Sequence, residues 1–118
     1  MAVLGVGIDV VALDRFDAAV TRSPHFLERV FTPTERTLGR KSLAARWAAK
    51  EALAKALGAP GGLVWHDAEV TRGPDGAPHL VMRGSVAERA RELGIATVHV
   101  SLSHDAGIAS AVVVAEGP

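Results

Sequence analysis

The chain has no cysteine and no tyrosine, and only five aromatic residues among its 118: Phe16, Phe26, Phe31, Trp47 and Trp65. Without cysteine there is no disulfide, no thiolate nucleophile and no cysteine-bound zinc. With so few rings, the core must be built from Val, Leu, Ile and Ala. No apolar run reaches the roughly 18 residues of a membrane span, and no basic region precedes the short apolar run at the N-terminus. A membrane span or secretory signal is therefore not expected, and a cytoplasmic setting is. Excess charge of one sign is missing too, because 13 Lys/Arg balance 13 Asp/Glu. That balance argues against a nucleic-acid binder held by bulk electrostatics.

What is present is a chain of 48% hydrophobic residues, enough for one packed domain over residues 1–118. The neutral total hides an asymmetry. Residues 1–58 carry nine Lys/Arg against six Asp/Glu, and residues 59–118 carry four against seven. A basic first half suits an acidic partner or a polyphosphate.

Val3 to Ile8 is apolar and β-branched with Gly5 and Gly7 interleaved, which predicts a buried strand where backbone approaches closely. Leu13, Phe16 and Val20 follow helical spacing, and Arg15 and Arg22 share one face of that helix. Ser23-Pro24 breaks it before a short apolar turn, Phe26 to Phe31. Thr32-Pro33-Thr34-Glu35 reads as a helix start with Thr32 as N-cap and Glu35 closing a capping box. A helix over 43–57 stops at Gly58-Ala59-Pro60-Gly61-Gly62. Leu63 to Arg72 and His79 to Arg83 flank an Asp75-Gly76 hairpin turn. Ser85 starts a helix that ends at Gly94. Thr97 to Ser103 alternates as a strand, His104 to Gly107 turns, and Ile108 to Ala115 returns. The fold class is α+β, a mainly antiparallel sheet packed against helices on one side.

The chemistry-bearing segment is Trp47-Ala48-Ala49-Lys50-Glu51-Ala52-Leu53-Ala54-Lys55. On a helix Trp47, Glu51 and Lys55 stack one turn apart, with Arg46 and Lys50 in a neighbouring column. Asp9 stands where the first strand would hand over to a loop. Two carboxylates with converging cations suit a divalent metal that carries a phosphorylated ligand. Each residue also has a plainer reading: Asp9 as a helix cap, Glu51–Lys55 as a surface ion pair, His104 and Asp105 as turn residues. Trp47 on the Glu51 column argues that this face is partly buried, where a carboxylate needs a partner. His25, His66, His79 and His99 show no metal-ligand spacing.

Gly7-Ile8-Asp9, Phe31-Thr32-x-x-Glu35, Trp47 to Lys55 and Ser103-His104 together resemble the holo-(acyl-carrier-protein) synthases, the small bacterial type of 4′-phosphopantetheinyl transferase. The likeness runs from residue 5 to about 115 in order and spacing. It implies transfer of 4′-phosphopantetheine from coenzyme A to a serine of apo acyl carrier protein, with release of adenosine 3′,5′-bisphosphate. By this resemblance Asp9 and Glu51 hold magnesium, and Lys55 contacts the pyrophosphate. Arg46, Lys50, Ser103 and His104 are candidates for binding coenzyme A. Glu51, a metal-bound water or a His104–Asp105 pair could accept the serine proton. Arg15 and Arg22 match arginines that face the acidic carrier protein. Longer relatives carry a second acid two residues after the aspartate; here that position is Val11, which fits the small type. One half-unit of the longer fold is expected, assembled as a homotrimer with coenzyme A between subunits. A non-catalytic coenzyme A or nucleotide module and a magnesium-dependent pyrophosphohydrolase are the alternatives.

Overall fold

In the computed structural model, which describes residues 1–118, the first strand, β1, runs from Val3 to Ala12 and is four residues longer than expected. Val10 and Val11 continue its β-branched pattern, so Asp9 lies inside the strand and caps nothing. Strand alternation then separates two faces. Val6, Ile8 and Val10 stand 58%, 62% and 59% exposed on one side. On the other side Gly5, Gly7, Asp9 and Val11 turn toward a helix.

That helix is α3, Arg40–Ala56, preceded by α1 (Leu13–Arg22) and α2 (His25–Val30). Its Ala48, Ala49, Ala52 and Ala56 are buried, a small-residue face that lets it lie close to the sheet. Glycine in β1 is required for the same reason. A Cβ at Gly7 would stand 1.8 Å from the Ala52 carbonyl oxygen, and one at Gly5 would stand 2.0 Å from that of Ala56. The helix ends as the glycine run predicts: Gly58 adopts φ +83, and the Ala59 N–H closes onto Ala54 O at 2.7 Å.

Two local expectations change. Thr32 and Glu35 do form the reciprocal box, Thr32 N–H to Glu35 Oε1 at 3.0 Å and Glu35 N–H to Thr32 Oγ1 at 3.3 Å. It opens only a single 3₁₀ turn, Glu35–Thr37, because Leu38 and Gly39 return to extended backbone. The strand expected from Leu63 begins at Ala68, after a second 3₁₀ turn at Trp65–Asp67.

Antiparallel strands β2 (Ala68–Arg72) and β3 (Pro78–Met82) form a separate two-stranded sheet. Helix α4 (Gly84–Glu92) follows. Asp67 caps it from outside: Asp67 Oδ2 accepts from Ser85 N–H at 2.9 Å and from Ser85 Oγ at 2.8 Å. Strands β4 (Thr97–Asp105) and β5 (Ile108–Glu116) then complete a three-stranded antiparallel sheet in the order β1-β5-β4. The β4–β5 turn is Ala106-Gly107, with φ of 51 and 78. His104 and Asp105 therefore belong to the strand, not to the turn.

Candidate active site

The close seating of α3 on β1 decides where Asp9 goes. Asp9 pairs across the sheet with Ala111, and its side chain faces α3 at the level of Glu51 and Lys55. Lys55 Nζ donates to Asp9 Oδ1 at 3.1 Å and to the Ile8 carbonyl at 2.9 Å. A lysine ammonium has three donors, so one remains for another acceptor. Asp9 is only 13% exposed in its side chain, and its Oδ2 is buried with no hydrogen-bond partner.

Glu51 completes the cluster. Its carboxyl is pushed up to about 7, first by burial, then by hydrogen bonding and repulsion from Asp9, against a lowering by Lys55. Protonated, Glu51 can donate to Asp9 and supply the partner that Oδ2 otherwise lacks; ionised, the two carboxylates repel, and the charge of Lys55 offsets this only in part. An orphaned carboxylate oxygen beside a carboxyl that resists ionisation is the donor set of a hard cation. No three His, Asp or Glu side chains converge anywhere in the chain. Two carboxylates with room for phosphate and water suit magnesium, which seldom uses an all-protein cage.

A cavity of about 260 Å³ opens beside Glu51, walled by Val11, Arg15, Phe16, Phe26 and Trp47. Trp47 meets Phe26 edge-on at 5.3 Å and Trp65 at 4.9 Å between ring centroids. Arg15 of α1 thus stands at the rim of the carboxylate site, while Arg22 is exposed in the last turn of the same helix. Val11, where longer relatives carry an acid, contributes wall instead of a ligand. The role of Phe16 and Phe26 in this wall was not anticipated; their rarity as aromatics in a small basic helical region was the available signal.

Lys50 is not where a phosphate can reach it. Its side chain is fully buried, and it donates to Glu35 Oε1 at 2.7 Å, Val30 O at 2.7 Å and Trp65 O at 3.2 Å. All three ammonium donors are spent, and burial lowers its pKa while Glu35 opposes that. Glu35 is therefore more than a capping residue: its Oε2 also accepts from Val70 N–H at 3.0 Å. Arg46 is likewise removed from the cluster. Five residues before Glu51, it lies about 140° around α3, its Nε on Val70 O at 3.3 Å.

The expected His104–Asp105 dyad is not formed either. Successive residues of a strand point to opposite faces, and Asp105 Oδ1 accepts instead from Ala106 N–H at 2.9 Å. His104 shares the α3 face with Val11, to which it is linked through Ala109, whereas Ser103 pairs with Ser110 and lies on the opposite face with Ile8. Within one chain Ser103 thus faces away from the Asp9–Glu51–Lys55 cluster, while His104 is on the same face two strands across from Val11.

The model of the 4′-phosphopantetheinyl transferase superfamily matches residues 5–110. A holo-[acyl-carrier-protein] synthase from Beutenbergia cavernae is 63% identical over 97% of this chain and 98% of its own. One from Streptomyces griseus is 60% identical over 98% and 99%. Among solved structures, a Helicobacter pylori holo-[acyl-carrier-protein] synthase in complex with coenzyme A superposes with a TM-score of 0.83 at 36% identity, covering 94% of this chain and 99% of that one.

Proposed function

The chain belongs to the 4′-phosphopantetheinyl transferase superfamily, and from that premise we infer that it is a holo-(acyl-carrier-protein) synthase. It transfers 4′-phosphopantetheine from coenzyme A to a serine of apo acyl carrier protein and releases adenosine 3′,5′-bisphosphate. The single observation that carries this reading is the buried, unpartnered Asp9 Oδ2 set against Glu51 and Lys55.

Asp9 and Glu51 would hold magnesium. When bound, magnesium neutralises the pyrophosphate and the charge that develops on the leaving bisphosphate. The remaining work falls to the chain's own groups. Lys55, fixed by Asp9 and Ile8 O, turns its free donor toward a phosphate oxygen and strengthens that contact as charge builds. Phe16, Phe26 and Trp47 wall the open cavity beside Glu51, so a substrate seated there would displace water from one side of the carboxyl. Arg15 and Arg22 draw in an acidic carrier, and Arg15 holds it where its serine can face the pyrophosphate.

The exposed valine–isoleucine face of β1 supports assembly as a homotrimer, since monomers seldom leave such a face open. Ser103 and His104 would then reach coenzyme A bound at the Asp9–Glu51 cluster of a neighbouring subunit. No helix is long and apolar enough to cross a membrane, and a cytoplasmic setting is part of the proposal.

The test is incubation with coenzyme A, magnesium and an apo carrier protein, read by intact mass. A carrier heavier by one phosphopantetheine is expected. Nucleotide release without modification would mean hydrolysis, and no change at all would leave a binding module.

A further inference from the structure

All five aromatic rings of the chain join in one cluster. Trp65 meets Trp47, Trp47 meets Phe26, and Phe16, Phe26 and Phe31 meet one another, every pair edge-on. Phe16, Phe26 and Trp47 wall the cavity that Arg15 and Glu51 share. The segments carrying these rings hold poorly on their own. Phe26 lies on α2, a helix of six residues, and Trp65 lies in a single 3₁₀ turn, both too short to persist without tertiary anchors.

One side chain anchors both. Lys50, on α3 directly before Glu51, sends its ammonium to Val30 O at the end of α2 at 2.7 Å and to Trp65 O at 3.2 Å. Its third donor goes to Glu35 Oε1 at 2.7 Å. The same Nζ stands 5.3 Å from the centre of the Phe31 ring. The cluster is thus tied near both its ends, Phe31 and Trp65, to a charge that is fully buried. A buried ion pair can often be replaced by apolar residues of similar volume without loss of stability, so packing alone does not call for one. What the ammonium adds is direction: three acceptors on three segments set how far α2 and the Trp65 turn stand from α3.

We propose that Lys50 is a positioning residue for the transfer step, holding the aromatic wall against α3 so that the carrier's serine approaches the pyrophosphate in one orientation. The inference rests on the transferase reading and gives Lys50 no contact with substrate. With the wall loosened, Asp9, Glu51 and Lys55 keep their places on β1 and α3, and only the side facing Arg15 and the carrier is disturbed.

Both tryptophans of the chain belong to the cluster, so intrinsic emission reports on it in the folded protein. In Lys50→Met/Glu35→Gln, where neither charge is left stranded, emission should move to longer wavelength with helix content retained by circular dichroism. Its kcat/KM for the apo carrier protein should fall roughly tenfold or more, while coenzyme A affinity, by calorimetry, stays at the parent value. Lys50→Gln/Glu35→Gln, whose amide is too short for all three acceptors, serves in the same assays if the first variant does not fold. Glu35→Gln alone leaves the ammonium its amide oxygen, Val30 O and Trp65 O; it should lower the urea midpoint yet keep parent emission and carrier kinetics. Val86→Ala, in a part of the core that holds none of the rings, should likewise lose stability without losing transfer.

Parent carrier kinetics in the double variants would overturn the proposal, as would a loss of transfer with no shift in emission. A parallel fall in coenzyme A affinity would also overturn it, by placing the effect at the carboxylate cluster. An equal loss of transfer in Val86→Ala would reduce Lys50 to a stabilising residue. A parent that modifies no carrier would refute the transferase reading and this inference with it; an active parent with equally active double variants would refute this inference alone.

Discussion

Glu51→Gln should stabilise the metal-free protein at neutral pH while destroying its activity. Glu51 ionises near 4.5 when unfolded and near 7 when folded. A carboxyl whose folded pKa is raised favours folding most below the unfolded value. That advantage is lost as pH rises through the folded value, because the unfolded chain releases its proton first. The full shift corresponds to ~3 kcal/mol at 1.36 kcal/mol per unit, and solvent screening of this half-open site reduces it to ~1–2 kcal/mol. Glutamine keeps the shape and one donor toward Asp9 without the charge. Urea unfolding in EDTA at fixed chain concentration, between pH 5 and 8, measures the effect as a difference between parent and variant. The parent should lose ~1–2 kcal/mol relative to Glu51→Gln across that range. Magnesium should restore stability to the parent alone, increasingly as pH rises and with proton release, since it binds the ionised pair. A flat difference, or a parent that gains on the variant with pH, would refute the reasoning, because Lys55 would then dominate over burial and Asp9.

Lys50→Met should destabilise by ~3–5 kcal/mol in urea unfolding, because it leaves Glu35 charged and unpaired in the core. Removing the Glu35 charge as well, in Lys50→Met/Glu35→Gln, should recover part of that loss. Gly7→Ala forces β1 off Ala52; circular dichroism should show a lower melting temperature, and transfer should fall about a hundredfold as Asp9 moves from Glu51. Ile8→Glu, on the exposed strand face, should sediment as a monomer with helix content intact and transfer lost. Arg15→Asp with Arg22→Asp should raise KM for the carrier protein roughly tenfold and flatten its salt dependence. Coenzyme A affinity, by calorimetry, should not change; a parallel fall in both affinities would remove these arginines from the carrier surface.

The elements were legible where pattern and punctuation agreed. Helix α3 follows from its Ala/Leu content and the Gly58 stop, and β4 and β5 from their alternation. The pairing of Asp9 with Glu51 and Lys55 was legible as chemistry, since the residue types were right, although no local rule places residue 9 against residue 51. Lys50 and Arg46 were misplaced for a physical reason. A helical wheel gives direction around an axis but not what packs there, and the capping box with Thr32 already accounts for Glu35 at the level of sequence. Burial made it the counter-ion of Lys50 as well. The end of β4 was hidden by a residue choice: alanine seldom adopts the left-handed conformation that Ala106 takes, so Asp105-Ala106-Gly107 did not read as a two-residue turn. Asp67, capping α4 from outside its sequence, is the same kind of case.

The Gly5-x-Gly7-x-Asp9 spacing and the alanines of α3 are two halves of one device. Two residues of a strand advance ~6.8 Å and four of a helix ~6 Å. Antiparallel to each other, Gly5 meets Ala56 and Gly7 meets Ala52, so the next step brings Asp9 to the turn that carries Glu51. Any side chain at the two glycines would lift the strand and part the carboxylates. Glycine in a strand is itself unfavourable by ~0.5–1 kcal/mol, and the reward for accepting it is an arrangement that also opposes folding, a half-buried acid beside a second one. Nothing in the stability of the free chain favours keeping all of these features together. Under the proposed function, occupation by a cation and a phosphate would, because the buried Asp9 Oδ2 and the reluctant Glu51 would then become ligands and Lys55 would gain a third acceptor. On that proposal the seam is explained by what it would bind, and the chain should be most stable in the loaded state.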